Sequence, residues 1–186
     1  MKEKHLVFII LMAFFLTTGF ETYAQRRVVN TPRRTVVKTP NGTVVYRKKP
    51  VLRPVNHLPG EAVVVHYRNK AYYYHQGIYY TSRNGVYIRT APPVGIRVAV
   101  LPSGYSRLVI GQSVFFYAGG TFYVSNGVIP EYIVVAPPAG AIVDQLPEGT
   151  AEIEIDGKPF LEYNGIIYKS VYTNQKAYEV VGTIEN

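Results

Sequence analysis

The sequence predicts an all-β fold: three tandem antiparallel meanders of about 44 residues, with SH3-like small-barrel character, preceded by a disordered arm. Three observations carry this reading. Leu-Pro recurs at Leu58-Pro59, Leu101-Pro102 and Leu146-Pro147, and a glycine follows nineteen positions after each Leu, at Gly77, Gly120 and Gly165. Between those marks come a turn pair (Arg68-Asn69, Gly111-Gln112, Asp156-Gly157), an aromatic stretch and a second turn on the marked Gly. No window after Leu58 alternates at helical spacing, whereas Glu152-Ile153-Glu154-Ile155 alternates at period two and runs into a turn.

The chain divides accordingly. Residues 1–24 read as a signal peptide. Lys2 and Lys4 precede the apolar run Leu6 to Leu16, and Thr22-Tyr23-Ala24 offers a cleavage site before Gln25. Residues 25–55 read as a basic, Pro-rich, disordered arm. Nine basic residues and no acid lie between Arg26 and Arg53, and their mutual repulsion favours extension. Two fragments there, Thr35 to Lys38 and Thr43 to Arg47, flank Asn41-Gly42 and have hairpin composition.

The β repeats follow at 56–100, 101–145 and 146–186. In the first, strands are expected over Glu61 to Tyr67, Lys70 to His75, Ile78 to Ser82 and Val86 to Thr90, with a turn at Asn84-Gly85. Asn126-Gly127 holds the matching place in the second repeat. Ala91 to Gly95 and Ala136 to Gly140 both read Ala-Pro-Pro-x-Gly. Their prolines cannot donate to a ladder, so they end the strand and lead the chain to the next Leu-Pro. The chain has no cysteine, which excludes a disulfide framework and a lipid-anchored N-terminal Cys. A module this small cannot stabilise itself without metal or disulfides, so the modules must share an aromatic core.

Consecutive residues on a strand face opposite ways. The tyrosine and phenylalanine pairs therefore cannot all be core, and Tyr73, Tyr80, Phe116 and Tyr123 are the candidates for an outward aromatic face that stacks on a polymer. Arg26, Arg27, Arg33, Arg34, Arg47, Lys48 and Lys49 are the candidate anionic-surface contacts of the arm, where each nearby cation contributes on the order of 1 kcal/mol. The charge is polarised, because Asp144 onward holds eight acids against three lysines. His57, His66 and His75 are spaced by nine, but no Cys or carboxylate pair accompanies them. Glu152, Glu154 and Asp156 share one strand face and read as solvated acids. No nucleophile elbow occurs, and Ser103, Ser106 and Ser113 have no nearby His. The reading is thus non-enzymatic, with no cofactor, no metal and no nucleic-acid partner.

The export signal, the Pro-rich basic leader, and the blocks LPSGYSRLVIGQSVFFYAGGTFYV and YIVVAPPAGAIVDQLPEGTAEIEIDGKPFLEYNGIIYK resemble exported proteins of Bacteroidota in domain of unknown function family 6515. The resemblance covers roughly His57 to Gly182 and implies an envelope protein with no catalytic residues to transfer. The functional expectation is an exported protein of the periplasm or cell surface that binds or organises envelope material: a glycan, peptidoglycan, a partner protein, or an anionic membrane surface through the arm. The alternative is a periplasmic metal-handling accessory or enzyme that uses the first repeat's histidines.

Overall fold

The computed structural model describes residues 27–31, 34–39, 42–48 and 53–184. The signal segment 1–24 lies outside them. Strands β1 (Arg27–Thr31), β2 (Arg34–Thr39) and β3 (Gly42–Lys48) precede three four-strand meanders. The first is β4 (Val63–Tyr67), β5 (Lys70–His75), β6 (Ile78–Arg83) and β7 (Val86–Thr90). A two-residue strand β8 (Arg97–Val98) leads to β9 (Ser106–Ile110), β10 (Ser113–Ala118), β11 (Thr121–Ser125) and β12 (Tyr132–Val135). Then β13 (Ile142–Val143) leads to β14 (Ala151–Ile155), β15 (Lys158–Tyr163), β16 (Ile166–Tyr172) and β17 (Lys176–Thr183). All pairing is antiparallel, and there is no helix among the described residues.

Tight turns make the meanders. Arg68-Asn69, Gln76-Gly77, Asn84-Gly85, Asp156-Gly157 and Asn164-Gly165 all take positive φ at both residues, as a two-residue hairpin with the correct twist requires. The second meander departs from expectation after Asn126. Its last two strands are joined by a six-residue loop, residues 126–131, closed by Asn126 N–H donating to the Glu131 carbonyl and by Asn126 Nδ2 donating to its carboxylate.

Each linker is tied to the last strand of the meander that follows it. Val55 bridges Tyr87, Val98 pairs with Tyr132, and Val143 pairs with Tyr178. The closing glycines do the same: Gly95 N–H donates to the Val134 carbonyl and Gly140 N–H to that of Val180. None of the sheets closes into a barrel. Small-barrel closure, expected from the short strands, is not found because outer strands pair with linkers and, at β14, with the arm.

Side chains stack the sheets. Tyr72, Tyr74 and Tyr79 of the first sheet bury against Tyr123 and Val134 of the second, around the linker's Ile96, Val98 and Leu101. On its other face the second sheet presents Tyr117 and Phe122 to Tyr163, Ile166, Tyr168 and Val180 of the third. Adjacent residues Phe122 and Tyr123 are thus both buried, on opposite faces, because the second sheet lies between the other two. Three cross-strand rows make the relation explicit: Val64–Tyr73–Tyr80–Arg89, Arg107–Phe116–Tyr123–Val134 and Glu152–Leu161–Tyr168–Val180.

The hydroxyls within the stack are not equally served. Tyr123 Oη donates to Tyr79 Oη at 3.2 Å. Tyr168 occupies the corresponding row position, but Phe122 stands where a tyrosine would answer it, and Tyr117 beside it turns its own hydroxyl to the Gln145 carbonyl at 3.0 Å. Tyr168 Oη is buried without a well-formed hydrogen bond.

The arm corrects the sequence reading most. Residues 25–55 were expected to be disordered with at most an isolated hairpin, yet β1, β2 and β3 form a meander that extends the third sheet through β3 and β14. Val44 and Tyr46 bury with Ala151 and Ile153. The cause is twofold. Period-two alternation gives β3 one apolar face, and its Arg47 meets an acid of β14, with Nε donating to Glu154 Oε2 at 2.7 Å. Like-charge repulsion along the arm is offset by an acid about a hundred residues away.

Two predictions follow from these contacts. Tyr123→Phe, which orphans the buried Tyr79 hydroxyl, is expected to lower stability in urea unfolding by about 1–2 kcal/mol, whereas Tyr168→Phe is expected to change it by close to zero or raise it. Equal losses would contradict the hydroxyl assignment. Tyr46→Ala is expected to cost on the order of 3 kcal/mol, against none for an arm that does not pack.

Candidate functional site

The aromatic candidates separate sharply. Tyr123 is 0% exposed and Tyr80 is 7% exposed, so the expectation that they face outward is overturned. Tyr123 is covered by the first sheet. Tyr80 lies near the Tyr163 ring of the third sheet, together with Arg89. Phe116 is partly buried at the edge of the first core, where it meets Tyr105 and Tyr132 edge-on at 5.6 and 5.2 Å. Of the four, Tyr73 is half-buried, on the same face of the first sheet as Tyr80, where the third meander covers the Tyr80 end.

That face is the one turned away from the second sheet. Val134 and Val180 end the rows of the second and third sheets and are buried by the preceding sheet. Arg89 holds the corresponding place in the first sheet. A guanidinium there stands at the end of the stack, and it reaches the third sheet's approach loop, with Nη1 3.4 Å from the Glu148 carbonyl. Beside it Tyr73 and Tyr87 pack edge-to-face, centroids 4.9 Å apart at 80°. Val64 and His66, both exposed, continue the same face by period two. Tyr87 and Arg89 were missed as site residues. The expected strand Val86 to Thr90, paired through Asn84-Gly85, already placed both on the side of Tyr80.

The basic candidates are less concentrated than expected. Arg27 and Arg34 lie on β1 and β2. Arg26, Arg33 and Lys49 lie outside the described residues. Arg47 is exposed but ion-paired with Glu154, and Lys48 pairs through its backbone with Glu152. An open cleft of about 680 Å³ beside this junction is lined by Arg47, Glu152, Lys158, Phe160, Lys169 and Ser170. A smaller, mainly apolar one of about 180 Å³ lies where Pro92, Phe122, Pro137 and Ile166 from all three meanders meet.

His66 and His75 do not converge. His66 opposes Ala71, four positions along β5 from His75, a separation of about 13 Å. Among the described residues no group of three or more His, Cys, Asp or Glu is placed to hold a metal ion, and no helix is long and apolar enough to cross a membrane.

Burial dominates the titration behaviour. It pushes the Tyr74 hydroxyl up to about 12, with smaller opposing help from hydrogen bonds to Gly77 and Tyr123, and burial likewise raises Tyr79, Tyr117, Tyr123, Tyr163 and Tyr168. These groups release protons more readily in the unfolded chain, so the folded state binds more protons at alkaline pH and stability falls as pH rises. Urea midpoints are expected to be flat below about pH 10 and to drop between about pH 10 and 12. Tyr74→Phe is expected to flatten that slope.

No curated protein and no solved structure matches this chain. A family model matches residues 14–184, which takes in the arm as well as all three meanders. The chain belongs to DUF6515, a family of unknown function.

Proposed function

We propose that this is a non-enzymatic, exported β-module protein of the periplasm or cell surface that binds or organises cell-envelope material, a glycan, peptidoglycan or an envelope protein. On this reading the three meanders, bounded at 56–100, 101–145 and 146–186, are copies of one module. The matching Val–Tyr bridges support that, as do the matching hydroxyl contacts Tyr74 to the Val100 carbonyl and Tyr117 to the Gln145 carbonyl.

The observation that carries the binding reading is the outer face of the first sheet. The module's other two copies cover the matching face with a neighbouring sheet, whereas on the first Val64 and His66 are exposed, Tyr73 and Tyr87 are half-buried, and the Tyr80 and Arg89 end meets the third meander. Half-buried tyrosines in an edge-to-face pair are held at low conformational cost. They offer ring surface for stacking together with hydroxyls for hydrogen bonding, a combination suited to a sugar polymer or an extended peptide. The arm supplies a second, electrostatic contribution from Arg26, Arg27, Arg33 and Arg34. Arg47 and Lys48 serve the junction with β14 instead.

Co-sedimentation with purified cell-wall sacculi at low and high salt tests this. Tyr73→Ala combined with Tyr87→Ala is expected to cut binding several-fold at both salts. Changing Arg26, Arg27, Arg33 and Arg34 to Gln is expected to remove only the salt-sensitive part. These substitutions keep β3 in place, whereas deleting the arm would also expose Ile153. A chain that stays in the supernatant at both salts would overturn the polymer reading.

A further inference from the structure

The first strand of each meander forms a sheet edge, and the three edges are treated differently. On β14 that edge is paired by β3, while β4 and β9 end their sheets with no further strand among the described residues. An unpaired edge presents a row of free N–H and C=O groups, and proteins ordinarily blunt it with lysine, proline, a bulge or a charge. β9 carries Arg107, exposed on one face. β4 reads Val-Val-Val-His-Tyr, has no such residue, and runs against β5 without a register shift. Its Val63 and Val64 are 58% and 47% exposed, one on each side of the sheet.

The third sheet displays what this edge accepts. Its occupant is an antiparallel strand whose Tyr46 pairs with Ile153 and whose Val44 pairs with Ile155, and the match is also electrostatic, with Arg47 ion-paired to Glu154. β4 has no acid to draw a cationic strand of that kind. The strand that suits it is short, apolar and uncharged, and β4 is itself such a strand.

We propose that two copies of this chain pair through β4, antiparallel across a two-fold axis, joining two four-stranded sheets into one of eight strands. Centred on Val65, this register sets Val63 opposite Tyr67 of the partner subunit and Val64 opposite His66 of the partner subunit. Valine then faces an aromatic ring, as it already does where Val63 meets Tyr74 and Val65 meets Tyr72 in the β4–β5 pair. No like charges are opposed, and the contact is self-complementary, as an isologous dimer requires. One strand pair buries little area, so the association belongs to the weak class. The inference does not rest on the binding reading above, because it concerns the strand edge and is read without any ligand.

Sedimentation velocity on the full mature chain, over about three decades of concentration, tests it. The expected result is a monomer–dimer equilibrium, with amides of residues 63–67 gaining hydrogen-exchange protection as dimer forms. Val64→Lys is expected to weaken the dimer at least tenfold, and Val109→Lys on the other open edge to leave it unchanged, both with an unaltered circular dichroism spectrum. If Val64→Lys disturbs the fold, Val63→Lys on the opposite side of the strand gives the same reading. A monomer across the whole range, or a dimer indifferent to both β4 substitutions, would overturn the proposal.

Discussion

Burial of tyrosine and phenylalanine rings on both faces of the second sheet is the constraint on which the structure depends. The chain has no cysteine, and none of its meanders is large enough to bury a core alone. Phe122 on one side and Tyr123 on the other therefore connect three sheets through a single strand. Each ring brings a large apolar area, and each tyrosine also brings a hydroxyl that must find a partner in a dry layer. Tyr123 finds Tyr79. Tyr168 does not find an equivalent, since Phe122 fills that position. The stack is thus tightly satisfied at one junction and less so at the other.

The ends of the stack are closed by different means. At the third sheet, β3 adds a strand and covers Ile153 with Tyr46, and Arg47 ion-pairs with Glu154 across the seam. At the first sheet no added strand occurs among the described residues. Arg89 replaces the valine that would otherwise invite another sheet, and it is held by Glu148 from the approach loop of the third meander. A charge at the centre of a potential stacking face makes further sheet-on-sheet addition unfavourable.

Charge polarity takes on a structural meaning in this arrangement. The basic leader and the acidic C-terminal meander are distant in sequence, and they meet along the β3–β14 pair. Part of the leader's charge is therefore neutralised within the molecule, through Arg47 and Glu154. A basic leader and a structural strand share one short segment, with Arg47 and Lys48 belonging to the strand.

Local chemistry was enough to locate the four strands of the first meander to within two residues, because paired positive-φ turns and period-two alternation are properties of neighbouring residues. Composition also required that the meanders share aromatic cores. What alternation could not decide was which face of each strand is covered, since a strand with rings on both sides reads the same whether one or both faces are buried. Alternation therefore offers Tyr80 and Tyr123 as outward rings, and only tertiary packing buries them, Tyr123 beneath the first sheet and Tyr80 beside Tyr163 of the third. The hairpin of β2 and β3 was legible in the alternation either side of Asn41-Gly42, but its docking was not: the arm's repulsion is local, whereas Glu154, which pairs with Arg47, comes close only once the third sheet has formed.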